Sequence, residues 1–233
     1  MTMLSICSRR DFLKKGLLAL PALTVGVRQT RGATVKRFLP PVDLDFISSR
    51  MELIQRSKWT DATPKTWILR EAENYDRLTF HHEGNATNFS IMKNAVAHDL
   101  SGILAGHMER HYGDIGYHFI VDYAGRVWEG RSLAYEGAHV SGQNEGNIGV
   151  VLLGNFQEQE PSTDQLTSMK QIACLLQERY GIKKYRLYGH CDLGRSVCPG
   201  MNLYPYVVRL KGELGPNFTA QMGLSATTRT PEE

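Results

Sequence analysis

Apolar positions change period several times along the chain, and each period predicts an element. RLTFHH at 77–82 is a short apolar-rich run and reads as a strand. Between 90 and 111, apolar residues return at Ile91, Ala95, Ala97, Ile103, Leu104 and Met108, with His98 on the same track. That spacing is helical, weakened by Gly102 and Gly106. YHFIVD and RVWEG flank Tyr123-Ala124-Gly125 and predict a hairpin. NIGVVLLG at 147–154 is a continuous apolar run, as expected of a strand covered on both faces. Ser162 and Gln165 then stand at capping-box spacing, and Leu166, Met169, Ala173, Leu176 and Tyr180 follow one helical face up to Gly181. YRLYGH predicts a strand ending at His190, and a short helix follows around 206–210. Residues 34–76 have no clear period, and TDATPKTW within them reads as a turn-rich connection. Strand, helix, hairpin, strand, helix, strand, with no internal repeat, predicts a single α/β domain with a mixed central β-sheet flanked by helices.

The ends of the chain change this picture. Residues 1–33 carry a basic head, an apolar stretch over 17–27 and a small-residue exit at Gly32 and Ala33. That stretch is too short to span a bilayer, so a removable export signal is expected. Ser8-Arg9-Arg10-Asp11-Phe12-Leu13-Lys14 has the form of the twin-arginine pattern, which places the protein in the periplasm or cell envelope. A generic secretory signal and an uncleaved anchor are the alternatives. The expected organisation is an export signal at 1–33, an N-terminal extension at 34–53, the folded domain at 54–214 and a disordered tail at 215–233. Residues 1–33 hold six of the 27 Lys/Arg and one of the 24 Asp/Glu, leaving 21 and 23 and a net charge of −2. The basicity of the whole chain is therefore a property of its leader, and no nucleic-acid footprint is expected.

Cysteine use narrows the chemistry. Beyond Cys7 the chain has Cys174, Cys191 and Cys198, too few for a disulfide scaffold. Cys174 lies on the amphipathic helix and is expected to be buried and inert. His81 and His190 both fall at predicted strand ends, where open sheets place their ligand sites, and Cys198 follows in the loop after the second. Two imidazoles and a thiolate suit Zn²⁺, and three protein ligands leave a fourth position for water. His82, Cys191 and Asp192 stand nearby as further ligands or supports. A Cys191–Cys198 disulfide without metal is the competing reading. Lone histidines such as His98 and His107 are expected to be ordinary helix residues.

FHHEG, DIGYHFIVDYAGRVWEGR, EGAHVSGQNEGNIGVVLLGNF and GHCDLGRSVCPG occur in an order and spacing similar to the zinc amidases related to peptidoglycan recognition proteins and phage amidase lysozymes. IQRSKWTDATP resembles the Arg-x-x-Trp segment that precedes the domain in recognition proteins, so the likeness spans about 54–210. The resemblance implies His81, His190 and Cys198 as zinc ligands and Tyr117 as the hydroxyl supporting the reacting carbonyl oxygen. Ser196 stands where related enzymes have Lys or Thr. As a catalytic group it offers one neutral hydrogen bond and no cation. Glu83 stands where Thr or Ser is usual, and no reason for it is evident. Recycling amidases of similar appearance carry a catalytic Glu in the buried strand where this chain has Val151, which favours the exported branch.

The implied reaction is hydrolysis of the amide between N-acetylmuramic acid and L-Ala of a stem peptide, with peptidoglycan or muropeptides as partner and Zn²⁺ as cofactor. His139, Asn144 and Asn147 precede the buried strand and are expected to line the substrate groove, with ordinary turn chemistry as the alternative. Trp128 and Tyr135 are candidate platforms or packing residues. A non-catalytic peptidoglycan binder and a zinc hydrolase of another cell-wall amide are the competing functions. The presence of Cys198 argues against the binder.

Overall fold

Leu53–Ile54 (β1), Arg77–His82 (β2), Phe119–Val121 (β3), Val127–Glu129 (β4), Asn147–Leu152 (β5) and Leu187–Gly189 (β6) form one sheet in the order β1-β4-β3-β5-β2-β6. The computed structural model describes residues 44–213, so the expected export signal and tail lie outside the described residues. β3 and β4 are the antiparallel hairpin, and the other pairings are parallel, which makes the sheet mixed. Five helices surround it: Leu44–Ser48 (α1), Lys93–Glu109 (α2), Thr163–Tyr180 (α3), His190–Leu193 (α4) and Tyr204–Glu213 (α5).

Side-chain alternation divides the sheet between two cores. On one face Phe80, Ile148, Val150 and Leu152 pack with Ile47 of α1, Met169, Ile172 and Leu176 of α3, and Val207 and Leu210 of α5. On the other, Ile120, Trp128, Val151 and Leu153 pack with Trp59 and with Val96, Leu100 and Leu104 of α2. β5 is buried throughout because both faces are covered. α3 begins with the expected capping box: Ser162 Oγ accepts from Gln165 N–H, and Gln165 Oε1 accepts from Ser162 N–H. It ends at Gly181, whose φ of 68° is the left-handed conformation glycine supplies at a helix terminus.

The phase of α2 differs from the expected one. Its inward stripe is Val96, Leu100, Leu104 and His107, while Ile91 and Ala95 are exposed. Ala95, Gly102 and Gly106 instead face a groove. β1 and α1 fall in the stretch where no period was evident. β6 is also shorter than expected: 184–186 form a 3-10 turn and His190 opens α4.

The Arg-x-x-Trp segment is fastened to this frame by buried polar contacts. An Arg56 guanidinium nitrogen lies 2.8 Å from Asp114 Oδ1, and Trp59 Nε1–H donates to Glu129 O at 2.8 Å. Arg131, 3% exposed, donates to the carbonyls of Tyr112, Asp114, Ile115 and Glu136 at 2.7–3.1 Å. These contacts fix the turn that leads into Tyr117.

Candidate active site

Adjacent parallel strands β2 and β6 end side by side, and the site is built on those ends. His81 is the penultimate residue of β2, with its ring on the α2 side of the sheet beside Val151. His190 begins α4 immediately after β6, and Gly189 N–H is capped by Asp192 Oδ2 at 2.9 Å. The following loop returns: Cys191 N–H donates to Cys198 O at 2.8 Å, and Cys198 N–H donates to Ser196 Oγ at 3.0 Å. One potential donor atom from each of His81, His190 and Cys198 lies within 4.8 Å of the others.

This set fits a tetrahedral zinc ion. Zn–N and Zn–S bonds of ~2.0 and ~2.3 Å at the tetrahedral angle put their outer atoms about 3.5 Å apart. Cys198 Sγ and His81 Nδ1 are 3.6 Å apart. Burial pushes the Cys198 thiol up to about 12, with the His82 backbone N–H, 3.4 Å from Sγ, acting in the opposite sense. Burial also holds His81 well below the usual histidine range, and its His139 and His190 neighbours add to that. Neutral imidazoles and a dehydrated thiol gain a counter-charge from a bound divalent cation. Cys174, Cys191 and Cys198 are all free, so the Cys191–Cys198 disulfide is not formed.

Of residues 139, 144 and 147, all expected at the groove wall, His139 and Asn144 line a cavity beside His190 and Asn147 does not. His139 is buried behind the ligands: its Nδ1 lies 3.0 Å from His81 Nε2, and its Nε2 lies 3.1 Å from Asn147 O. Burial pushes its ring down to about 3. Asn147 is fully buried, its Oδ1 accepting from Thr79 Oγ1–H and its Nδ2 donating to Gln143 O, so it does not line the groove. It joins Thr79 of the neighbouring strand to His139 of the 138–144 loop in a continuous polar strip. Asn144 reaches the groove, but its Oδ1 is used to accept from His139 and Val140 N–H, which shapes the loop. His82 points to the opposite face, where its Nδ1 accepts from Phe156 N–H at 3.2 Å.

Tyr117 stands over the ligands, its ring centroid 5.2 Å from that of His81. Burial raises its hydroxyl well above the usual tyrosine range, with Cys198 and Glu83 adding to the shift, so it remains a donor at neutral pH. Two cavities of about 1000 and 490 Å³ meet here, both lined by His107, Arg110 and Tyr117. The larger runs between α2 and the 83–90 loop, and Glu83 lines it with Asn85 as its hydrogen-bond partner. The smaller runs between 138–144 and His190. Ser196 has its oxygen committed to Cys198 N–H, so it braces the ligand loop. Trp128 is a core residue, 2% exposed, and not a platform.

From sequence His107 is expected to be an ordinary helix residue and Arg110 carries no expectation, yet both line the two cavities. His107 Nδ1 accepts from Gly116 N–H at 3.0 Å, and burial pushes the ring down to about 4, with Arg110 and Arg131 adding to the shift. The available signal was Gly102 and Gly106, four apart on a predicted helix and so on one face, leaving it open.

A family model described as N-acetylmuramoyl-L-alanine amidase matches residues 71–201, which contain all of these groups. The chain belongs to this family. Among curated relatives, peptidoglycan-recognition protein SC2 of Drosophila melanogaster is 34% identical over 156 residues, covering 65% of this chain and 82% of the fly protein. Peptidoglycan-recognition protein SD of Drosophila melanogaster is 30% identical over 178 residues, covering 76% and 92%. Among solved structures, a complex of the recognition proteins LCa and LCx with tracheal cytotoxin aligns at TM-score 0.61 and 28% identity, over 67% of this chain and 95% of that one. The endolysin N-acetylmuramoyl-L-alanine amidase LysCS of Clostridium intestinale aligns at TM-score 0.54 and 25% identity, over 70% and 97%. Binders and hydrolases thus share this fold, and the distinction between them rests on the site.

Proposed function

We propose that the protein is an exported zinc amidase that cleaves the amide between N-acetylmuramic acid and L-Ala of peptidoglycan stem peptides. The observation that carries this reading is the convergence of His81, His190 and Cys198 within 4.8 Å beside Tyr117 and an open groove. A protein that only binds its ligand has no need of a buried thiol between two imidazoles. Zinc held there would supply a Lewis acid and a bound water of lowered pKa. Tyr117 would donate its O–H to the carbonyl oxygen of the scissile amide, where negative charge develops. The two cavities on either side of it give glycan and peptide separate places to lie. The cavity walls hold the chain still, so the amide reaches the donor already oriented.

Export rests on Ser8-Arg9-Arg10-Asp11-Phe12-Leu13-Lys14 and the apolar stretch behind it. Replacing Arg9 and Arg10 by Lys is expected to leave the protein in the cytoplasm on fractionation. Among the described residues no helix is long and apolar enough to cross a membrane.

Mass spectrometry of peptidoglycan digested with the zinc-loaded protein tests the activity. Free stem peptides beginning with L-Ala are expected, and none with Cys198→Ser. Wall material that is bound but unchanged by the wild type would establish a binder instead.

A further inference from the structure

We propose that His139 is a positioning residue of the metal centre, holding His81 in the tautomer and orientation that turn Nδ1 toward the other two ligands. The inference rests on the metal-centre reading above and assigns a role to a residue outside the ligand set.

His139 Nε2 lies 3.1 Å from the backbone oxygen of Asn147, which can only accept, so Nε2 carries the ring proton. The ring is buried among other histidines and pairs with no carboxylate among the described residues, which keeps it neutral and leaves a lone pair on Nδ1. That lone pair faces His81 Nε2 at 3.0 Å, so the proton of His81 sits on Nε2. The lone pair of His81 is then on Nδ1, 3.6 Å from Cys198 Sγ and on the side where the three donor atoms converge. Had the chain run the other way, a proton on His81 Nδ1 would occupy the ligand position. One backbone carbonyl therefore sets the polarity of two rings.

The ring of His139 also has a built slot. A Cβ on Gly137 would meet His139 Cδ2 at 2.3 Å, and one on Gly149 would meet it at 2.5 Å. No side chain fits at either place without moving the ring. Asn144 fixes the loop from outside by accepting from the backbone N–H groups of His139 and Val140. Glycine on both sides and a clamped backbone leave the imidazole one position to occupy.

The test measures zinc affinity by competition with a chromophoric chelator and the absorption spectrum of the cobalt-loaded protein. His139→Ala is expected to weaken zinc binding roughly 10- to 100-fold and to shift the cobalt bands. His139→Asn, whose Oδ1 can stand in for Nδ1 as acceptor, is expected to recover most of that loss. His139→Leu fills the slot without an acceptor and should stay weak. Wild-type affinity and an unchanged cobalt spectrum in His139→Ala would overturn the proposal, as would Asn performing no better than Leu. The Asn-to-Leu comparison stands even if the alanine variant fails to fold. A wild-type protein with no zinc site abolished by Cys198→Ser would instead sink the metal-centre reading itself.

Discussion

Tyr117 carries the most at the residue scale, because its hydroxyl is not hydrogen-bonded to any protein group among the described residues, while the oxygens and ring nitrogen of its polar neighbours hold backbone N–H groups. Ser196 accepts from Cys198 N–H, Asn144 accepts twice from its own loop, and His107 accepts from Gly116. A free, protonated O–H beside the ligands is what an oxyanion donor requires. Tyr117→Phe is therefore expected to lower turnover of a soluble muropeptide by ~10²–10³ while zinc affinity and thermal stability stay near wild type. Loss of zinc along with activity would mean that the ring supports the ligands and that the hydroxyl is incidental. Ser196 predicts a smaller effect. Removing its oxygen leaves one N–H of the ligand loop unpaired, a cost of about 1 kcal/mol, so Ser196→Ala should reduce stability slightly and activity less than Tyr117→Phe.

Among the elements, α2 has two jobs on two faces. Val96, Leu100 and Leu104 bury one face against the sheet, and Ala95, Gly102 and Gly106 leave the other open as a groove wall. A Cβ at Gly102 or Gly106 would meet nothing within 4 Å, so both positions accept side chains without strain. Gly106→Leu is expected to fold, bind zinc and lose affinity for muropeptide, read by calorimetric titration; unchanged affinity would place the substrate elsewhere. The expected stripe ran through Ile91 and Ala95, which are exposed, and passed over Val96 and Leu100, which are buried. Features set within a few residues were legible: the capping box at Ser162, the hairpin around Gly125, and the end of the strand that carries His81, whereas His190 opens a helix just past the strand it was expected to end. β1 is a two-residue strand whose partner Val127–Glu129 lies more than seventy positions away, and nothing local announces it. His139 was legible as a groove residue, but its bond to His81 was not, because it spans 58 positions and depends on two glycines that are silent in sequence. Asn147 was misplaced for a related reason: polar residues before a strand suggest a loop, whereas its amide is spent on Thr79 inside the sheet.

Across the whole molecule, uncharged histidines sit at depth, and this sets how the protein responds to acid. His107 and His118 each accept a backbone N–H on Nδ1, from Gly116 and Gly149, and burial lowers both, His107 to about 4 and His118 well below the usual range. Around His107 stand Arg110, Arg131, Tyr112 and Tyr117, and the two guanidiniums add to the cost of a positive ring. In the unfolded chain these rings titrate near 6.5, so below that pH the unfolded state binds more protons than the folded one and stability must fall. Asp114 and Glu136 act in the other sense, since burial raises both carboxyls while Arg56 and Arg70 respectively oppose it. Six histidines (His81, His82, His107, His118, His139 and His190) are lowered against these two raised carboxyls, so the histidines are expected to set the sign between about pH 6.5 and 4. Urea unfolding of the zinc-free protein across that window should show stability decreasing with acid. His107→Asn keeps an acceptor for Gly116 N–H but cannot titrate, so its slope should be shallower by up to about 1.4 kcal/mol per pH unit. Parallel slopes for the two proteins would mean that His107 titrates in the fold as it does in the unfolded chain, and that accepting from Gly116 N–H does not hold its ring neutral.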